Sequence, residues 1–126
     1  MKNGYIKVIM NKILFALLLM LSINVHASFK TGNELLMACD STPEISAENA
    51  MPKVLCVGYV SGMVDAIQIL FGRFPEIQSF CLPPKGMSGN QKILIVEKYL
   101  KENPNQLHHS ARMSVYIAFF QAFPCE

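Results

Sequence analysis

Residues 53–71 read KVLCVGYVSGMVDAIQILF, a run that is apolar on nearly every side when drawn as a helix. A helix that is apolar all round is typical of the buried centre of a domain. Gly58 and Gly62 lie four residues apart on one face, where the missing side chains would let a neighbouring helix approach closely. The sequence therefore predicts a central, buried helix over this run.

Three further helices are predicted around it, over residues 33–39, 88–103 and 107–123. Ser88 and Gln91 fit a capping box at the start of the second of these, since each side chain can bond the backbone N–H of the other residue. Pro104 and Pro124 end the last two helices. No stretch alternates at period two for long, so we predict an all-α fold, a small four-helix bundle.

Two irregular segments separate the helices. Residues 40–52 are rich in Ser, Thr, Pro, Glu and Asn, and Pro43 and Pro52 are expected to prevent a continuous helix there. Residues 72–86 contain three prolines and Cys81. The second segment, which follows the predicted central helix, is called the connection below.

The N-terminus has the features of a removable export signal. Lys2, Lys7 and Lys12 form a positive region, an apolar run covers residues 13–23, and short residues at 25–27 suit cleavage after Ala27. Residues 10–27 would form a complete signal by themselves. We expect residues 1–27 to be removed and residues 28–126 to form a single domain in an oxidising compartment, without a retained membrane anchor. Removing the three lysines leaves eight of the 11 Lys and Arg residues against nine acids. A net charge of about −1 gives no reason to expect a nucleic-acid partner.

The cysteines Cys39, Cys56, Cys81 and Cys125 all follow the predicted signal, which indicates disulfides. Four cysteines allow three pairings. An up-and-down helix path brings Cys39 close to Cys56 at one end of the bundle and Cys81 close to Cys125 at the other. We therefore favour these two pairs, which would stabilise the fold by about 3 and 4 kcal/mol in the chain-entropy model.

No constellation of residues predicts catalysis, a cofactor or a metal site. Zinc sites favour close pairs such as C-x-x-C, and none occurs. The predicted mature chain has two histidines, His108 and His109, and their neighbouring positions indicate an ordinary surface turn. Asp65 is the one acid inside the apolar helix, and we expect it to face solvent, cap a neighbouring element, or pair with a residue such as Arg73 or Arg112. The sequence gives no reason to propose an enzyme.

Five phrases in order along the predicted mature chain resemble the Rap/Tai family. They are TGNELL with Cys39 (31–39), CVGYVSG (56–62), CLP (81–83), KYL with Asn103 and Pro104 (98–104), and FPC (123–125). The family includes immunity proteins against amidase effectors of type VI secretion. The resemblance implies a helical, cysteine-stapled protein of the periplasm that binds and occludes the active site of a peptidoglycan amidase, usually as a homodimer. The alternative is a helical stress or chaperone-like protein of the periplasm with no toxin partner.

Two regions have the chemistry of a partner-binding surface. The connection and its flanks combine charge and apolar bulk on a segment constrained by prolines, through Arg73, Phe74, Glu76, Ile77, Phe80, Lys85 and Met87. Its apolar side chains would instead cover the end of the bundle if they fold inward. Asp40 and Glu44 lie in an acidic loop that would suit a basic cleft or remain solvated.

The predicted fourth helix has more apolar area than one core contact needs. Tyr116, Phe119 and Phe120 are therefore candidates for a homodimer interface. A helix buried at the centre of the monomer would show the same pattern.

Overall fold

The computed structural model describes residues 10–13, 29–41, 46 and 50–125. Between residues 29 and 125 its α-helices are α1 (Gly32–Cys39), α2 (Ala50–Arg73), α3 (Gly89–Glu102) and α4 (Ala111–Ala122), with short 3-10 turns at Pro75–Ile77 and Pro104–Gln106. Extended pairing in the described ranges is limited to one antiparallel bridge between Thr31 and Ser110. The predicted all-α fold class is confirmed. The predicted signal lies outside the described residues, except for a helical turn at 10–13.

α2 is not the buried centre that its composition predicts. It packs against α1, α3 and α4 on one side and faces solvent on the other. Its length and hydropathy would suffice to cross a membrane. Only 22% of its most apolar window is buried in the bundle. The prediction fails because hydropathy measures how much apolar surface a helix has and does not say which part the same chain covers. The buried residues of α2 are Cys56, Val60, Val64 and Phe71.

Two helix starts also differ from the prediction. α2 begins at Ala50 and includes Pro52 in its first turn, where a proline is tolerated because the first N–H groups have no partner within the helix. α4 begins at Ala111 rather than near Leu107. The 3-10 turn after Pro104 and the extended backbone at Ser110 occupy the intervening residues. The capping box of Ser88 and Gln91 is present at the start of α3.

A seam of backbone contacts joins α1 to the segment before α4. The Gly32 N–H donates to the His109 carbonyl at 2.9 Å, and the Asn33 N–H donates to the Leu107 carbonyl at 3.0 Å. A Cβ built on Gly32 would lie 3.1 Å from Leu100 Cδ2 and 3.2 Å from both the Leu107 carbonyl oxygen and Ser114 Oγ. Glycine is needed here because the chains approach too closely for a side chain.

An aromatic cluster fills the end of the core below the connection. Phe80 is fully buried, with its ring centroid 5.1 Å from that of Phe71, 5.9 Å from Phe119 and 6.1 Å from Tyr116. Burying a phenylalanine contributes about 1.5–3 kcal/mol. The connection is therefore anchored to the bundle through Phe80.

Two disulfides join the helices at separate places in the fold. Cys39 at the end of α1 is bonded to Cys56 in α2, and Cys81 in the connection is bonded to Cys125 after α4. These are the pairs that the helix path favoured. They close loops with sequence separations of 17 and 44 residues.

The acid of the apolar helix pairs with a different residue from those predicted. Asp65 accepts a bond from the ammonium group of Lys92 on α3 at 2.7 Å, and neither Arg73 nor Arg112 is its partner in that contact. The Lys92 side chain is 11% exposed and that of Asp65 is 66% exposed. The lysine stem is thus covered by the bundle while its charge reaches a carboxylate at the rim.

Candidate partner-binding surface

The segment Arg73–Ile77, called the exposed turn below, presents apolar side chains to solvent at the end of α2. Phe74 is 43% exposed and Ile77 is 53% exposed. The turn is ordered by its own backbone, because the Phe74 N–H donates to the Leu70 carbonyl at 2.7 Å and the Ile77 N–H donates to the Phe74 carbonyl at 3.1 Å. The Arg73 guanidinium carbon lies 5.5 Å from the centroid of the Phe74 ring, within cation–π range.

Several contacts hold the rest of the connection against α4. The Cys81 N–H donates to the Phe123 carbonyl at 2.9 Å, and the Tyr116 hydroxyl donates to Ser79 Oγ at 2.7 Å. The amide of Gln78 reaches the Phe80 carbonyl at 3.3 Å. The exposed turn therefore lies between the last turn of α2 and residues 79–81, which are anchored to the bundle.

The structure separates the residues predicted for partner binding in the connection. Arg73, Phe74, Glu76 and Lys85 are exposed. Phe80 is fully buried among aromatic rings, as in the alternative in which its side chain covers the end of the bundle, and so it belongs to the core of this fold. Ile77 does not fold inward, whereas Met87 is half-buried and packs against the core.

The acidic loop is partly engaged within the chain. The Lys101 ammonium donates to Asp40 Oδ1 at 3.1 Å and to Glu97 Oε1 at 2.6 Å. The backbone and hydroxyl of Ser41 also donate to Glu97 Oε1, at 3.1 and 2.9 Å. Asp40 is therefore paired with a lysine of its own chain, which weakens its candidacy for a basic partner. Glu44 lies outside the described residues.

Glu97 is the electrostatic centre of this network. Burial by itself raises the pKa of its carboxyl group, but the hydrogen bonds from Lys101 and Ser41 outweigh burial and hold the pKa below its ordinary value. The hydrogen bonds that Lys101 donates to Glu97 and Asp40 raise the pKa of the lysine. The network ties the end of α1 to α3 and is a structural feature of the bundle.

The predicted interface on α4 is only partly accessible. Phe119 is fully buried in the aromatic cluster, which matches the alternative in which α4 packs inside the monomer. Tyr116 is half-buried and engaged with Ser79. Phe120 remains 48% exposed and its ring stacks on that of Tyr116 with centroids 6.4 Å apart.

Another uncovered apolar surface of the described residues lies on α2. Met51 is 65% exposed and Ile69 is 73% exposed, and no atom of the described residues lies within 4 Å of a Cβ built on Gly58 or Gly62. These residues recur at the spacing of one helix face. We call this face the α2 outer face; it consists of Met51, Leu55, Gly58, Gly62, Ala66 and Ile69.

The sequence contained a signal for this surface, because a helix that is apolar all round has more apolar area than a four-helix bundle can cover. The same pattern predicts a buried centre. Both faces of the helix are equally apolar in the sequence, and only the packed structure distinguishes them.

The histidines form no site with other ligands in the described part of the chain. The rings of His108 and His109 are exposed and meet edge to face at 4.3 Å, and no group of three possible metal ligands is found among the described residues. His109 contributes to the seam through its backbone carbonyl.

One comparison with known proteins finds a match. A family model described as Rap1a immunity proteins matches residues 31–125, which spans nearly all of the predicted mature domain. No curated protein and no solved structure matches the chain.

Proposed function

The chain belongs to the Rap1a family of immunity proteins, and we propose that it binds and occludes the active site of a type VI secretion amidase effector in the periplasm. Family membership implies a protein effector as the partner and a role in binding rather than catalysis. The disulfides agree with a location outside the cytoplasm. A peptidoglycan amidase acts in that compartment, so an inhibitor must be present there to protect the cell.

The observation that supports occlusion is the exposed turn. An inhibitor of an enzyme cleft needs a few anchors that fill a pocket and lose little entropy on binding. Phe74 and Ile77 are apolar and accessible, and the backbone around them is already ordered. Arg73 and Glu76 add charge beside the two anchors.

The test uses the exported, oxidised protein and candidate type VI amidases from the same cell. Cleavage of peptidoglycan peptides is followed while the protein is added. We expect stoichiometric loss of cleavage with one amidase. If no amidase is inhibited by a protein with both disulfides and a cooperative melt, the immunity role is wrong and the chaperone-like alternative takes its place.

A substitution pair then tests the surface. Phe74→Ala is expected to weaken inhibition by about fivefold or more, because truncating an anchor costs over 1 kcal/mol. Leu94→Ala is the matched control, since Leu94 on α3 is 48% exposed and lies outside the exposed turn. Equal inhibition by the two variants would place the contact elsewhere.

We also propose that the protein forms a homodimer and that the α2 outer face is the dimer interface. The face is apolar along the length of α2, and the two uncovered glycines would let a second helix approach closely. Monomeric proteins rarely expose a continuous apolar surface of this kind. Phe120, the most exposed residue of the interface predicted on α4, is then a neighbouring surface residue and not the centre of the dimer.

The dimer is tested by sedimentation of the double variant Gly58→Leu/Gly62→Leu. Both substitutions point away from the described core, because none of the described residues has an atom within 4 Å of either Cβ position. We expect the variant to be folded and monomeric at concentrations where the parent protein is dimeric. Phe120→Ala is the control, and loss of the dimer in that variant alone would move the interface to α4.

A further inference from the structure

The two disulfides differ in how easily a thiol can reach them. Cys39 is 3% exposed and Cys56 is fully buried, whereas Cys81 and Cys125 are both exposed. Thiol–disulfide exchange requires a thiolate to approach one of the sulfur atoms directly. A small dithiol therefore meets the Cys81–Cys125 bond at the surface and reaches the Cys39–Cys56 bond only after the bundle opens.

The accessible bond fastens two segments that lie outside the α-helices. α4 ends at Ala122 and Cys125 lies three residues later. On the other side, residues 81–88 contain no α-helix and turn at Gly86, whose φ of 73° is left-handed. The same region is also held by the bond from the Cys81 N–H to the Phe123 carbonyl, the Tyr116–Ser79 contact and the buried ring of Phe80. Leu82 and Phe123, beside the two cysteines, pack against the core as well.

Opening the bond would therefore be a local event. Phe80 stays in the aromatic cluster because its burial does not depend on the sulfur atoms. The segment after Phe80 and the last residues of the chain would gain freedom. The exposed turn lies directly before this anchor, so its order is coupled to the same segment through Gln78, whose amide contacts both the Phe80 carbonyl and Cys81 Sγ.

We propose that the Cys81–Cys125 disulfide is a reducible clasp that controls how tightly the chain binds its effector, while Cys39–Cys56 holds the fold in both states. The proposal rests on the function proposed above, in which the exposed turn contacts the effector. A pre-ordered turn binds with less loss of entropy than a loosened one. Binding is then strongest after export, where the clasp is oxidised.

The reductant is a dithiol. One of its thiolates attacks a sulfur of the clasp, forms a mixed disulfide and releases the other cysteine as a thiolate that takes up a proton. The second thiol of the reductant then closes onto the mixed disulfide and releases the second cysteine. Two electrons and two protons pass to the protein, which gains two thiols, and the dithiol becomes a cyclic disulfide.

The first test measures accessibility and needs no effector. The oxidised protein is titrated with dithiothreitol, the free thiols are alkylated, and peptides are analysed by mass spectrometry. We expect Cys81 and Cys125 to be alkylated well before Cys39 and Cys56, with the helical circular dichroism unchanged at that stage. Simultaneous alkylation of all four cysteines, or earlier alkylation of Cys39 and Cys56, would overturn the proposal.

The second test measures affinity for the amidase that the oxidised protein inhibits. The double variant Cys81→Ser/Cys125→Ser mimics the open clasp, so no reductant has to be added to the enzyme. We expect affinity to fall by about tenfold, a change of 1.4 kcal/mol, with a retained cooperative melt. Equal affinity in the two proteins would overturn the clasp, whereas an oxidised parent that binds no amidase would overturn the proposed function and the clasp's role in affinity with it.

Discussion

The two faces of α2 have nearly the same composition and opposite surroundings. The inner face, which includes Val60 and Val64, is fully buried by α1, α3 and α4. The outer face, which includes Met51 and Ile69, is largely exposed. Apolar residues on the first face build the monomer, and those on the second are available to another chain. The difference shows that an apolar sequence predicts that a helix will be covered, but does not say whether the same chain or another chain covers it.

The largest effect is expected from truncating the inner face. Phe71→Ala removes a ring that packs edge to face on Phe80, and substitutions of this kind lower the free energy of unfolding by about 3–5 kcal/mol. Ile69→Ala on the outer face should change it by less than about 0.5 kcal/mol. Urea denaturation at concentrations where the chain is monomeric measures both. Similar losses in the two variants would mean that the outer face is covered within the monomer.

A second, smaller contrast concerns two glycines that each begin a helix. Gly32→Ala in α1 should destabilise the fold by about 1–3 kcal/mol, because the new methyl group meets a backbone carbonyl that cannot move aside. Gly89→Ala in α3 is the matched control. Its nearest atoms, in Ser61 and Val57, lie 3.5 Å away, which is ordinary contact. Thermal melts of the two variants should differ clearly, and equal melting temperatures would contradict the packing at Gly32.

The sequence predicted local features of the fold well. Ser88 and Gln91 indicated a capping box that the structure contains, since such a motif depends on neighbours within one turn. The two disulfide pairs agree with a simple helix path. The start of α2 was predicted too late, at residue 53, because proline disfavours the interior of a helix. The first turn of a helix accepts proline, and α2 begins at Ala50.

The surface was harder to predict than the fold. Phe74 and Phe80 are six residues apart in one connection, and either ring suits a core or a binding site. The structure exposes the first and buries the second, because the ring of Phe80 packs against those of Phe71 and Phe119. The pairing of Asp65 with Lys92 was also out of reach, since it depends on how α2 and α3 are set against each other.

The polar network behind the inner face predicts a dependence of stability on pH. The pKa of Glu97 is lower in the folded protein than in the unfolded chain, so the unfolded chain binds more protons at acidic pH. The stabilisation is complete above the unfolded pKa, about 4.3, and is lost as the pH falls through the folded pKa. Glu97→Gln should cost about 1 kcal/mol at neutral pH through weaker bonds from Ser41. Denaturation at pH 7 and below pH 4 should show that the variant loses less stability on acidification than the parent protein. Equal losses would mean that protonation of Glu97 does not cause the loss of stability in acid.

The smallest effect has the opposite sign and comes from the outer face. Gly62→Ala should raise the free energy of unfolding of the monomer by about 0.5–1 kcal/mol, because alanine loses less backbone entropy in a helix and meets no atom of the described residues within 4 Å. In the proposed dimer the same methyl group would hold a second α2 away, so the gain should shrink at concentrations where that dimer would form. Denaturation at two protein concentrations measures both quantities. Gly72→Ala, in the last turn of α2 and equally uncovered, should give a smaller gain that does not depend on concentration. A loss of stability in Gly62→Ala at high dilution would show that part of the same chain covers this glycine, and the contrast between the two faces of α2 would not hold.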